Sequence, residues 1–464
     1  MKSTSRRNYF CFGLGTIGRD MFYTMVSMYL LTFLTEILDL PDSTMWWMTG
    51  VMTILRVFDA VNDPIMGVLV DNTKSRFGKF KPWLVIGGIL GAVFMVLMFA
   101  DFGLTGAGYV IAFTVFYLAW DFTYGANDIA YWSMLPALTI DQKEREKMGA
   151  FARICANVGM FIVVVGIIPI TKAMGVSMGS DKSAWFTLAL VIAFLMLAFQ
   201  AITVFGVRES EVTFKQEEKT TLRDLGKVLF GNDQLRYTAI AMALFMGGYC
   251  TTTSFGVYYF KYAFKNENMY AIFAAVLGVS QLSALTIFPV FSKKFDRKTL
   301  YTGATVLVFL GYILFFFAPM NMIVIGIAGV LIFVGQAFIQ LLMLMFLADT
   351  IEYGQWKSGK RNESVTFSVQ PFINKIGGAI GTGIVSATLI ISGINSAATP
   401  NDVTETGLLI MKAAMLILPM LSIIAGYIVY RMKYKIDQQF YEKIVKDLEE
   451  RGDLVTSEAK QENI

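Results

Sequence analysis

Twelve apolar runs, each close to the length of a bilayer crossing, dominate the chain and leave little room for any other architecture. They fall at about residues 10–35, 45–70, 83–100, 107–134, 149–171 and 184–206, then 237–262, 269–291, 299–318, 321–348, 365–392 and 407–431. A helix needs about 20 mostly apolar residues to cross the hydrocarbon core. Inside that core every backbone N–H and C=O must find a partner within its own segment, so the runs predict helices. The fold class is therefore an all-α membrane protein with 12 transmembrane helices. Composition agrees: 55% of the 464 residues are hydrophobic and 16% charged, against about 25% charged in soluble proteins. A charged stretch from Arg208 to Arg236 separates six runs from six, which suggests two homologous halves. The expected organisation is a six-helix bundle over 1–207, a middle loop over 208–236, a second bundle over 237–431 and a tail over 432–464.

Lys and Arg cluster in alternate connections, which predicts topology. Lys74, Arg76, Lys79 and Lys81 follow the second run, Lys143, Arg145 and Lys147 the fourth, Lys293, Lys294, Arg297 and Lys298 the eighth, and Lys357, Lys360 and Arg361 the tenth. The connections after runs one, three, nine and eleven contain neither residue. Both termini and the middle loop are thus expected on the cytoplasmic side of the cell membrane. The basic start MKSTSRRNYF reads as the flank of a retained first span, because Arg19 and Asp20 interrupt the apolar stretch and no small-residue cleavage site follows. IDQQFYEKIVKDLEE near the end alternates charged and apolar residues, as a short amphipathic helix does.

Several chemistries are excluded early. Histidine is absent, so imidazole metal ligands, Ser-His-Asp triads and imidazole proton carriers are too. Cys11, Cys155 and Cys250 are far apart and sit in apolar segments, which does not suit a disulfide framework. A net charge of +4 spread over short clusters gives no support for a nucleic-acid partner. GLGTIG at 13–18 lies in an apolar span with no preceding strand, so it is not a nucleotide loop. No cofactor is expected, the lipid bilayer is the surrounding partner, and the chain is expected to function as a monomer.

Charges inside the apolar runs carry the functional signal. An Asp, Lys or Arg at mid-span costs about 2.5–3.5 kcal/mol on insertion scales, and such residues face polar cavities. The second run contains Arg56, Asp59, Asn62 and Asp63. Asp59 and Asp63 are four apart and share one helical face. Such a pair, with an amide oxygen beside it, can hold a small hard cation or share a proton, although an Arg56–Asp59 salt bridge of purely structural purpose has the same spacing. The fourth run contains Asp121, Tyr124, Asp128, Tyr131 and Trp132. Tyr124, Asp128 and Trp132 form a stripe of phenol, carboxylate and indole at i, i+4 spacing, a combination suited to sugar hydroxyls and to the C–H face of a pyranose. A packed aromatic helix with one satisfied Asp is the plainer alternative. Arg19, Asp20, Arg153 and Lys375 complete the set of mid-span charges.

DAVNDPIMGVLVDNTKSRFGKFKPW at 59–83 resembles the span-two signature of the glycoside-pentoside-hexuronide:cation symporters, a branch of the major facilitator superfamily. The resemblance extends through NDIAYWSMLPALTIDQKEREKMGAFAR at 127–153, NDQLRY at 232–237 and ADTIEYGQWKSGKRNESVTFSVQPFINKIGG at 348–378. It is similar to melibiose permeases and, in the last two long stretches, more closely to lactose and galactoside transporters. It implies a major facilitator fold and symport of a galactoside-type sugar with a cation by alternating access. Residue by residue it implies sugar carboxylates at Asp20 and Asp128, with Arg19, Tyr124, Trp132 and Arg153 around the sugar. It implies a cation or coupling set of Asp59, Asn62, Asp63, Lys375 and Glu363, with Asp59 and Asp63 the only metal ligands expected, and those only if the ion is sodium.

Departures from the family pattern bear on the ion and the sugar. Gly125 stands where melibiose permeases supply a Thr hydroxyl near sodium, Gln340 where they have a sugar-pocket Trp, and Pro371 where they have a Thr. Lys360 stands where lactose transporters have a His, and Asp59 where they have a Glu. The missing hydroxyl favours a proton over sodium. An exporter of another solute would share the fold without needing the span-four stripe, and no nucleophile elbow, metal set or phosphate loop supports an enzyme.

Overall fold

The computed structural model describes residues 3–38, 40–208, 213–214, 226, 230–266, 269–394 and 399–455. Twelve helices of 18 residues or more run through it. The first six are α1 (Ser3–Thr32, continued by a π turn over Phe33–Ile37), α2 (Asp42–Asp71), α3 (Lys81–Met98), α4 (Gly106–Leu138), α5 (Gln142–Met178) and α6 (Asp181–Gly206). After the charged stretch come α7 (Asp233–Tyr258, with a π turn over Tyr259–Ala263), α8 (Met269–Lys294), α9 (Arg297–Phe317), α10 (Met322–Ser358), α11 (Glu363–Ile391) and α12 (Glu405–Lys433). A short α13 (Gln438–Glu450) follows. Several helices outrun the apolar stretches that announce them, α5 and α10 most clearly. Their extra turns are polar and end in dedicated caps. Asp141 accepts from the Lys143 and Glu144 amides at the start of α5, and Gly179 and Gly359, with φ of 67° and 72°, close α5 and α10.

The chain forms two compact units. Unit 1 holds Met1–Leu225, Asn362–Ser368 and Gly452–Ile464, so that the first turns of α11 group with α1–α6. Within it α1 packs on α5 and α6, and α4 on α2 and α3. Gly159 permits the first of these contacts, since a Cβ there would overlap the Ile17 carbonyl; small residues at crossings are how membrane helices approach closely. Phe33, Phe99 and Trp185 pack ring against ring in its core. A two-residue antiparallel pairing joins β1 (Thr213–Phe214) to β2 (Leu454–Val455).

Unit 2 holds Gly226–Arg361 and Val369–Arg451. There α7 packs on α12, and α8 and α9 on α10. The amphipathic tail forms α13, whose Tyr441, Ile444 and Leu448 are buried and whose Asp447 accepts from the Trp356 indole of α10 at 2.8 Å.

Large apolar side chains point outward from both units: Val176 of unit 1 is 88% exposed and Phe317 of unit 2 76%, the surface a hydrocarbon solvent requires and water does not tolerate. Among the described residues, nine helices are long and apolar enough to cross a membrane, namely α3, α5, α6 and α7–α12. The remaining three long helices are α1, α2 and α4, which carry Arg19, Asp20, Arg56, Asp59, Asp63, Asp121 and Asp128.

Candidate functional site

Helical spacing on α4 places Tyr124, Asp128 and Trp132 along one stripe, and α1 and α5 bring the opposite charges to it. Arg19 Nη2 of α1 lies 2.5 Å from Asp128 Oδ1, with Arg19 2% and Asp128 28% exposed. The same guanidinium lies 3.9 Å above the Tyr131 ring. Arg153 of α5 lies 4.4 Å above the Trp132 ring, so one indole face carries a cation. Asp20 is half-buried and within electrostatic reach of Arg19, Arg153 and Asp128. All six sugar residues expected from the sequence are thus brought together in unit 1.

The aromatic members are all buried and packed against other rings. Tyr124 is stacked on Trp120 at 5.4 Å and on Tyr23 at 5.8 Å, and is buried. Trp132 meets Phe12 and Tyr131 edge-on. Tyr131 is itself held by a hydrogen bond from its hydroxyl to the Phe12 carbonyl. The arrangement offers two carboxylates as acceptors, two guanidinium groups as donors and aromatic walls, which is what a polyhydroxylated ring needs.

The acidic face of α2 turns toward α4. Asn62 and Asp63 are buried, at 1% and 2% exposed, and Asp59 is half-buried. Asn62 Nδ2 donates to Asp121 Oδ2 of α4 at 3.2 Å. A Cβ added to Gly125 would stand 3.8 Å from Asn62 Nδ2 and 4.0 Å from Asp63 Oδ1, so the missing hydroxyl concerns this spot directly. The Arg56 side chain lies outside the described residues, and the Arg56–Asp59 bridge with it. Among the described residues, no group of three Asp, Glu, Cys or His side chains is arranged to hold a metal ion. Asp121, which shares the fourth run with the sugar stripe and has no role assigned from the sequence, accepts from Asn62 of α2. The available signal was its i, i+4 spacing from Gly125; the partner on α2 left none.

Glu363 takes a different place. It opens α11 and lies 3.2 Å from Lys79, which is 2.6 Å from Asp71. Asp71, the last residue of α2, also accepts from the Ser364 and Val365 amides at 3.0 and 2.9 Å, a side-chain cap on the first turn of α11. Burial pushes the Lys79 ammonium toward neutrality, but Asp71 and Glu363 together hold it above the ordinary lysine range. Gly67 lets α11 come this close, since a Cβ there would stand 2.8 Å from the Ser364 carbonyl oxygen. The structure therefore places Glu363 with Lys79 of the loop after α2 and with Asp71 at the end of that helix. Lys375 is half-buried farther along α11, in unit 2.

A family model described as MFS/sugar transport protein matches residues 11–438. A lactose permease from Lactobacillus delbrueckii subsp. bulgaricus is 32% identical over 458 residues, which cover 97% of this chain and 73% of that protein. A raffinose carrier protein from Pediococcus pentosaceus is 33% identical over 94% of this chain and 70% of its own length. Among solved structures, the Escherichia coli fucose:proton symporter matches with a TM-score of 0.64 at 13% identity, over 93% of this chain and 98% of that one, a likeness of fold.

Proposed function

The chain belongs to the MFS/sugar transport protein family, has a major facilitator fold and works by sugar:cation symport, and we propose that its sugar is a galactoside-type glycoside and its coupling ion a proton. The observation that carries the reading is the Arg19–Asp128 pair at 2.5 Å, set among Asp20, Arg153 and Trp132. A buried pair of this kind is weak as a source of stability, and it makes sense as a set of donors and acceptors that a neutral polyol can engage. Lactose and raffinose, for which two relatives are named, each contain a galactosyl ring.

In this reading Asp20 and Asp128 accept sugar hydroxyls, Arg19 and Arg153 donate, and Tyr124 and Trp132 wall the ring. Asp59 and Asp63 carry the ion, with Asn62 beside them, while Lys375 and Glu363 take part in coupling. A proton shared between two carboxylates one turn apart removes their mutual repulsion. Gly125 supplies no side-chain oxygen, and a hard cation needs several ligands. The Asn62 carbonyl is the observation that favours sodium. The proposal includes alternating access by single chains in the cell membrane, with both termini and the 208–236 loop cytoplasmic, and halves at 1–207 and 237–431. Neither a nucleic acid nor a cofactor enters it.

Galactosides, glucosides and pentosides supplied to reconstituted vesicles under separate proton and sodium gradients test the reading. Galactosides are expected to accumulate with an imposed pH gradient. Accumulation that follows sodium and ignores pH would overturn the proton, and transport of other sugars alone would overturn the galactoside.

A further inference from the structure

Asn62 and Asp121 meet across α2 and α4 at 3.2 Å, both almost fully buried. A carboxylate offers only acceptors, whereas an amide has one end that donates and one that accepts. Asp121 can therefore engage only the Nδ2 end of Asn62, which fixes the direction of the amide. The consequence lies at the other end: Asn62 Oδ1 is buried and accepts no hydrogen bond among the described residues. A buried amide oxygen left without a donor costs about 1–3 kcal/mol. The Asn62 atom nearest the space beside Gly125 is the Asp121-bound Nδ2, 3.8 Å from where a Cβ would stand, with Asp63 Oδ1 at 4.0 Å, so the unpartnered oxygen is turned to the other side of the amide, next to the acidic face of α2 rather than toward Gly125.

We infer that Asp121 is a positioning residue of the coupling-ion site, which holds the Asn62 amide by its nitrogen and so presents the Asn62 carbonyl oxygen to the coupling ion. The inference rests on the reading that Asn62 and Asp63 belong to that site. It suits either ion, since the oxygen can ligate sodium or accept a hydrogen bond from a protonated Asp63. The charged residues of the facing α2 segment are Arg56, Asp59 and Asp63, and Asp121 is the α4 residue whose carboxylate takes the Asn62 amide. Partners that orient a ligand from behind are worth roughly 10- to 100-fold in affinity.

The test measures the ion concentration, proton or sodium, that gives half-maximal galactoside uptake in reconstituted full-length protein. Asp121→Asn, whose amide can present either end, is expected to raise it about tenfold or more. A variant that still binds galactoside is folded, and a general packing defect would weaken ion and sugar alike. Asp121→Ser, which can also donate or accept, is the second variant and is expected to move the same way. In an Asn62→Ala background Asp121→Asn is expected to add nothing. An unchanged ion dependence in both Asp121 variants overturns the inference, and so does a full second loss in the Asn62→Ala background, because Asp121 would then act by itself. If Asn62→Ala alone leaves the ion dependence untouched, the cation-site reading fails first and takes the inference with it.

Discussion

The two units hold polarity differently along their spans, although both bury ion pairs, in unit 2 Arg297 with Asp349 at the start of α9 and Arg361 with Glu352 near the end of α10. All six long helices from α7 to α12 are apolar enough to cross a bilayer, and the polar side chains deep in unit 2 include a neutral relay. In it Thr252 and Tyr312 share a 2.6 Å hydrogen bond and Gln336 donates to Tyr312 at 3.2 Å. In unit 1 the helices α1, α2 and α4 fall short of that apolarity and hold charge: Arg19 against Asp128, and Asn62 and Asp63 beside Asp121. Neutral hydrogen bonds cost little to bury and are worth little, whereas mid-span charges are expensive and mark function. On the proposed reading the sugar residues and the acidic face of α2 lie in unit 1, and Lys375 alone of the coupling set lies in unit 2.

The largest effect is expected at Asp128. Asp128→Ala leaves the Arg19 guanidinium buried without its partner, and breaking such a pair costs roughly 3–5 kcal/mol. With Asp20 still within reach, a loss near about 3 kcal/mol is expected, read as a lower melting temperature in detergent. Galactoside affinity should fall at least about tenfold, since a hydrogen bond to a charged group is worth about 1.5–3 kcal/mol. Unchanged binding in both Asp20→Ala and Asp128→Ala proteins would remove sugar chemistry from unit 1.

Next comes Asp71, whose carboxylate caps α11 and pairs with Lys79. Asp71→Ala is expected to cost about 1–2 kcal/mol, as lost helix caps do, and to speed hydrogen exchange at the Ser364 and Val365 amides. The pH dependence has a definite sign. Because the folded-state Lys79 value is raised, its contribution is complete below the ordinary lysine value of about 10.4 and is lost only as pH rises beyond it. Protection at Ser364, corrected for intrinsic exchange, should therefore show no Lys79 titration between about pH 6 and 9.

The smallest effect belongs to unit 2. Gln336→Leu removes one neutral hydrogen bond to Tyr312 and a carbonyl oxygen that accepts none among the described residues, so about 1 kcal/mol or less is expected. A loss as large as that of Asp128→Ala would erase the contrast between the units.

Much of this was legible in the sequence because apolar length and i, i+4 spacing are properties of one segment at a time. The runs foretold each long helix, and Tyr124, Asp128 and Trp132 foretold a stripe. What spacing cannot show is which stripe meets which. Asp121 shares α4 with the sugar residues yet bonds across to Asn62. Tyr131 underlies Arg19 of another helix. Glu363 is far from Asp71 in sequence, and only the fold makes them neighbours through Lys79. Apolar length does not fix helix ends either, because polar turns capped by residues such as Asp141 extend beyond the apolar run.

Uphill uptake in vesicles prepared with wild-type and Asp63→Asn proteins tests the central claim most directly, that the acidic face of α2 couples an ion to sugar movement. The account predicts that an imposed pH gradient drives galactoside accumulation in the wild type, and that Asp63→Asn abolishes accumulation while labelled sugar still exchanges across the membrane. Accumulation by Asp63→Asn at the wild-type level would contradict it.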